Sequence, residues 1–256
     1  MRTKLIILGS GSSTGIPRID GKWGKCNKKN LKNHRTRCSA ILIKGSNSIL
    51  IDTSPDIKQQ LLTNKIKNIS SVLYSHEHTD QTNGLFELRP FFWKNKKKIN
   101  VYGNIRTLNF LKTKFDFLFK QRYSYPAIAK AITIKKKFSI GKGEEKILFK
   151  TFQVWHGPIK VVAYVFEKTA YISDCNDLSI VNIKELKNLK YLIIDCLKIN
   201  KHPTHFNLDQ VLYVKNELQP KKTILTNLHS DLDYDFLLKR LPNNVLPAYD
   251  NLKISL

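Results

Sequence analysis

The order of apolar runs along the chain predicts an α/β protein in which two β-sheets pack together beneath outer helices. Three observations lead there. Short apolar runs bounded by turn residues recur from the first residues to about position 225. The early runs follow one another with little helix between them, whereas the later ones alternate with helical segments. That mixture suits two covered sheets better than a doubly wound parallel sheet. Finally, no repeat, Pro/Gly/Ser-rich linker or low-complexity block divides the 256 residues, so one domain is expected over 1–256.

Strands are expected at 5–8, 40–43, 49–51, 71–74, 99–102, 131–134, 147–154, 161–166, 170–172, 191–194 and 223–225. Helices are expected near 55–63, 83–92, 104–120, 178–188, 207–217 and 233–240. The segment from Leu208 to Lys215 spaces its apolar residues for one helical face, with Asn207 as N-cap. The stretch 91–145 is the most irregular and reads as an inserted cap.

Composition narrows the class. With 41% hydrophobic and 25% charged residues the chain reads as globular, not disordered. The apolar run Leu5-Ile-Ile-Leu8 is too short for a signal-peptide core or a membrane span and reads as a buried strand. Four cysteines (Cys26, Cys38, Cys175, Cys196) without a secretory signal fit reduced thiols in a cytoplasmic protein. The net charge of +24 suits phosphate-bearing partners. Yet the lysines are scattered, dense only at 94–98 and 135–137, which points to a generally lysine-rich solvated surface.

The chemistry concentrates where apolar runs give way to loops. His76-Glu-His78-Thr-Asp80 directly follows the run Ser71–Ser75. A loop leaving a strand can turn both imidazoles to one cation, and the Asp80 carboxylate can reach a second; N and O donors suit Zn²⁺ and similar ions. His156, Asp174 and His229 each follow another apolar run. Strand-end side chains can converge on one rim of a sheet sandwich.

In that order, the residues resemble the metallo-β-lactamase superfamily, whose fold is a four-layer αββα sandwich. Within it the chain is similar to the branch holding a cyclic-phosphate phosphodiesterase of phosphonate breakdown and the tRNA 3′-processing endonucleases. The supporting segments are Leu8-Gly-Ser-Gly-Ser-Ser-Thr-Gly-Ile-Pro17, Arg35-Thr-Arg-Cys-Ser39, Leu50-Ile-Asp52-Thr-Ser-Pro-Asp56, Thr204-His205-Phe-Asn-Leu-Asp-Gln210 and Leu225–Tyr234. The resemblance implies two divalent ions, Zn or Mn. The first would be held by His76, His78 and His156, the second by Asp80 and His229, with Asp174 bridging and Asp52 as a structural acid beneath. It also makes His205 the candidate proton donor to the leaving oxygen, with His202 as competitor and Asp80 as the other catalytic candidate. One departure stands out: the family continues His-x-His-x-Asp-His, and here Gln81 follows Asp80. An amide oxygen is a poorer Zn²⁺ ligand than imidazole, so the second ion is expected to bind more weakly or to be a harder ion such as Mn²⁺. A one-metal enzyme is the alternative, and Asp80, Asp174 and His229 argue for two occupied positions.

The implied activity is hydrolysis of a small cyclic phosphate or nucleotide-like phosphodiester by a metal-held hydroxide. Arg35, Arg37 and Arg89 are weaker phosphate-binding candidates. The loop Ser10–Gly15 lacks the Gly-Lys-Ser/Thr ending of a P-loop and reads as a turn near the site. Cys26 and Cys38, with His34 nearby, are too few for a clear structural zinc site and read as buried thiols. The alternatives are a tRNA 3′-end endoribonuclease, disfavoured because no Gly/Pro-rich arm is evident, a thioester or lactone hydrolase, and a basic nucleic-acid-binding protein with a vestigial metal site. A small phosphate ester is the expected partner, with no membrane contact and a homodimeric assembly.

Overall fold

The computed structural model describes residues 1–256 apart from 180 and 182. The first apolar runs become β1 (Lys4–Gly9), β2 (Ser39–Lys44) and β3 (Asn47–Ile51), antiparallel neighbours. Gly45, at φ +57°, lets the tight β2–β3 hairpin turn. Parallel additions follow as β4 (Ser71–Leu73), β5 (Ile99–Gly103) and β6 (Ala129–Thr133). The second sheet takes β7 (Lys137–Ile140), β8 (Ile147–His156), β9 (Ile159–Phe166), β10 (Thr169–Ile172), β11 (Tyr191–Asp195), β12 (Lys222–Thr226) and β13 (Val245–Pro247). The chain then returns to pair β14 (Leu252–Ser255) with β1, giving two seven-stranded sheets.

Period-two alternation decides what each strand buries. In β1, Leu5 and Ile7 face the other sheet, where they meet a core containing Tyr164, Tyr171 and Ile193. Ile6 and Leu8 face outwards, beneath α1 (Ile57–Thr63) and α4 (Ile105–Lys114), which contribute Ile57, Leu61, Leu108 and Leu111. On the far side, Leu192 and Ile194 of β11 lie under α6 (Leu208–Leu218) and α7 (Tyr234–Leu238). Strands buried on both faces explain the near-continuous apolar runs of the sequence. The arrangement is the expected αββα sandwich.

Three strands lie beyond the sequence expectations: β7, β13 and β14. The first is a lysine-bearing edge strand, exposed on alternate residues, and β13 is a three-residue edge ending in proline. Neither carries the apolar run that marks a central strand. The inserted cap over 91–145 is a correction. There α3 (Arg89–Asn95), β5, α4, α5 (Asp116–Phe119), β6 and β7 extend both sheets and their helical cover. Short elements and many lysines disguise that regularity. The helix at 234–238 is shorter than expected, and the one expected at 178–188 falls partly outside the described residues, leaving a 3-10 turn at Ile183–Leu186. Among the described residues, no helix is long and apolar enough to cross a membrane.

Candidate metal centre

Strand ends bring the chemistry to one rim. β8 and β10 are both antiparallel to β9, and β10, β11 and β12 are parallel, so four strands of the second sheet end in the same direction. Their ends deliver His156, Asp174, Asp195 and Asn227. The loop after β4 delivers His76 and His78 before α2 (Thr79–Thr82). A cleft of about 510 Å³ opens there, lined by Ser12–Thr14, His78, Asp80, His156, Asp174, Lys198, His202, His205, Asn227 and His229.

His76, His78 and His156 form one group whose potential ligand atoms lie within 4.8 Å of each other. Their ring centroids are 4.4–5.5 Å apart. His76 is fully buried, and its Nε2 has no hydrogen-bond partner among the described residues. An orphaned ring nitrogen in such surroundings fits a metal ligand. The other nitrogen is accounted for: Ser75 Oγ donates to Asp52 Oδ2 at 2.8 Å and lies 2.9 Å from His76 Nδ1. The hydroxyl therefore accepts from Nδ1–H, which assigns the lone pair to Nε2. Burial, with the neighbouring imidazoles, holds His76 well below the usual histidine range, so it stays neutral. His156 repeats the logic, with Nδ1 donating to Thr204 O at 2.6 Å. Gly157, at φ +56°, makes the turn after β8 and sits so close to Thr204 that a Cβ would meet Cγ2 at 2.6 Å.

Asp52 is the acid beneath the site. It is fully buried, sits at φ +60°, and accepts from both Ser75 N and Ser75 Oγ at 2.8 Å.

The opposite wall is built from carboxylates. Asp195 Oδ2 accepts from Cys175 N at 2.9 Å and from His205 Nδ1 at 2.7 Å. Asn227 Nδ2 reaches Asp174 Oδ1 at 2.9 Å and Asp195 Oδ1 at 3.0 Å. Gln81 Nε2 lies 3.2 Å from Asp174 Oδ2 and 3.4 Å from Asp80 Oδ2. Burial raises both Asp80 and Asp174, helped by the charge of Asp174 on Asp80 and of Asp195 on Asp174. For His205, burial opposes protonation, but Asp195, Asp174 and Asp80 outweigh it and lift the imidazole to about 9. His156, Asp174 and His205 form a second group of ligand-capable residues, sharing His156 with the first.

Several expected site residues take other places. His229 lines the cleft, but its Nδ1 pairs with Asp231 Oδ2 at 3.2 Å and, among the described residues, it joins no ligand group. The reason is local: Asn227, at φ +61°, turns the chain directly after β12, so residue 227 faces Asp174. Asp80, Asp174 and His229 line the same cleft, but among the described residues they do not form one group with ligand atoms within 4.8 Å of each other. Arg35 is buried away from the cleft and donates to Leu232 O and Asn33 Oδ1. Arg37 pairs with Asp56 at 2.8 Å, and Arg89 stacks on Phe86. None of the three lines the cleft. His202 does line it, with Nδ1 accepting from Thr204 at 3.3 Å. The loop Ser12–Thr14 is at the site, as expected. Cys26 and Cys38 are free and buried, with separate partners in Ser230 O and Thr226 Oγ1.

Asp195 and Asn227 were not singled out from the sequence. Asp195 closes an apolar run in the same way as Asp174, which is the signal that could have found it. Asn227 carries no such signal.

The family model of the beta-lactamase superfamily domain matches residues 47–227, from β3 to Asn227. The chain belongs to the metallo-β-lactamase superfamily. Its fold and histidine-rich centre are those of a metal-dependent hydrolase. A crystal structure of a new diphosphatase from the PhnP family is 28% identical, with a TM-score of 0.91, covering 100% of this chain and 98% of that one. The Zn²⁺-bound PqqB of Methylobacterium extorquens shares the fold, at 15% identity and a TM-score of 0.80 over 99% of this chain and 100% of its own. The octanoyltransferase of Porphyromonas gingivalis (strain ATCC BAA-308 / W83) is 28% identical over 255 residues, 98% of this chain and 51% of the relative. The chain thus spans about half the length of that curated relative.

Proposed function

We propose that this superfamily member is a phosphodiesterase that cleaves a small cyclic phosphate or nucleotide-like ester, using a Zn²⁺ or Mn²⁺ ion at His76, His78 and His156. The observation that carries the reading is His205, held by buried Asp195 beside that imidazole trio. Its ring centroid is 4.5 Å from that of His156. A divalent ion in such a site supplies electrophilic stabilisation and makes water acidic enough to attack near neutral pH.

The chain's own groups do the rest. Asp195 fixes His205 through Nδ1, which leaves Nε2 to carry a proton towards the leaving oxygen. Lys198, on the cleft wall, offers positive charge to phosphoryl oxygens. The cleft volume falls within the roughly 300–1,000 Å³ usual for small-molecule sites.

A second reading is favoured by one comparison, the diphosphatase that aligns over the whole chain at 28% identity. Phosphoanhydride cleavage expels phosphate, a good leaving group that needs little help from His205.

The test is a substrate screen on chelated and then Zn²⁺- or Mn²⁺-reconstituted protein, with cyclic phosphodiesters, linear phosphodiesters, diphosphates and thioesters as arms. Metal-dependent turnover highest on cyclic or nucleotide-like diesters is expected. Turnover confined to diphosphates would replace the first reading with the second, and turnover confined to thioesters would overturn both.

A further inference from the structure

Resting on the reading above for the imidazole trio, we infer that this chain holds a single divalent ion and that the side-chain amides of Gln81 and Asn227 take the place of a second. An amide –NH₂ has two N–H donors and no lone pair for a metal. Each of these two amides spans a pair of carboxylates. Gln81 Nε2 bridges Asp80 Oδ2 and Asp174 Oδ2, and Asn227 Nδ2 bridges Asp174 Oδ1 and Asp195 Oδ1. Each oxygen of Asp174, the residue expected to bridge two ions, therefore accepts from a neutral amide donor.

The orientation of both amides follows from these partners. Reversing either would set its oxygen against two carboxylates at once. Gln81 Oε1 is buried without a partner among the described residues. It lies on the other branch of the amide, so it cannot join Asp80 and Asp174 on an ion between them while the nitrogen bridges them. The main chain holds both residues in place. Gln81 N donates to His78 O at 3.0 Å and its carbonyl accepts from Thr53 N at 2.7 Å. Asn227 is followed by Leu228, whose N–H donates to Ser10 O at 2.9 Å.

Donor accounting on the imidazoles agrees. His156 spends Nδ1 on Thr204 O, which leaves one ring nitrogen for a metal. The two ligand-capable groups both use it, and one lone pair binds one ion, so His156 can serve only one of them. With one ion, charge developing on the leaving oxygen falls to His205 and not to a second cation.

The experiment is a metal count. Chelated wild-type protein is equilibrated with excess Zn²⁺ or Mn²⁺, dialysed and analysed by elemental mass spectrometry, and the Mn²⁺ form is examined by electron paramagnetic resonance. One equivalent per chain and an uncoupled Mn²⁺ signal are expected. The double variant Gln81→His with Asn227→His should take up a second equivalent and show exchange coupling. Two equivalents with a coupled signal in the wild type would overturn the inference. So would a properly folded double variant that stays at one, because something other than the amides would then exclude the second ion. The wild-type count decides the matter even if the double variant does not fold. It needs no substrate, so a failed phosphodiesterase reading shows in the turnover screen alone.

Discussion

The two walls of the cleft use buried polar groups in opposite ways. On the β4–β8 wall, His76 and His156 each satisfy Nδ1 with an outer acceptor and keep Nε2 for the site; His76 Nε2 has no partner among the described residues. On the β10–β12 wall, Asp174 and Asp195 are crowded with donors from Cys175, Gln81, Asn227 and His205. The first wall leaves a ring nitrogen turned to the cleft without a partner among the described residues, whereas the carboxylates of the second are held by amide, imidazole and backbone donors. A ligand set is thus recognised by what its atoms lack, not by residue type alone.

The largest break in that contrast is on the imidazole wall. His78→Ala should remove the bound ion and bring turnover to the uncatalysed background, as chelation should in the wild type. Elemental analysis beside an activity assay checks this, and normal turnover in the variant would sink the site assignment.

On the carboxylate wall, His205→Ala should keep the ion yet slow hydrolysis of poor-leaving-group esters by about 10²–10⁴-fold. Activated aryl esters should lose less, and equal losses on both would argue against proton donation.

Replacing Ser75 with Ala, which frees His76 Nδ1 from its acceptor, should weaken metal affinity by about 10–100-fold. Competition against a chelator of known affinity measures that, and unchanged affinity would deny Ser75 its orienting role.

Asp195→Asn separates proton holding from metal binding. The carboxylate lifts His205, so its removal lowers that pKa, and the alkaline limb of the rate profile should move to lower pH. A limb that stays in place would assign it to another group.

The smallest catalytic effect is expected outside both walls. Arg35→Met should leave KM unchanged and cost about 1.5–3 kcal/mol of stability for each lost charged hydrogen bond. A raised KM at unchanged stability would return Arg35 to the substrate.

Much of the fold was legible because strands buried on both faces write long apolar runs. β7 and β13 were not, since edge strands need bury only one side and can carry Lys or Pro. The site was legible in the same measure. His76, His78, His156 and Asp174 end apolar runs, and the structure gathers all four at one rim.

The sequence by itself determined the sandwich, the strand-end chemistry and the departure at Gln81, because periodicity and residue type are local properties. Only the tertiary structure decided which side chain faces Asp174. A left-handed turn at Asn227 presents an amide there, while His229 pairs with Asp231. Asp195 likewise gains its role only when β11 lies beside β10 and carries its carboxylate to His205. Such pairings depend on backbone direction and packing across long stretches of chain, which residue order does not encode one position at a time.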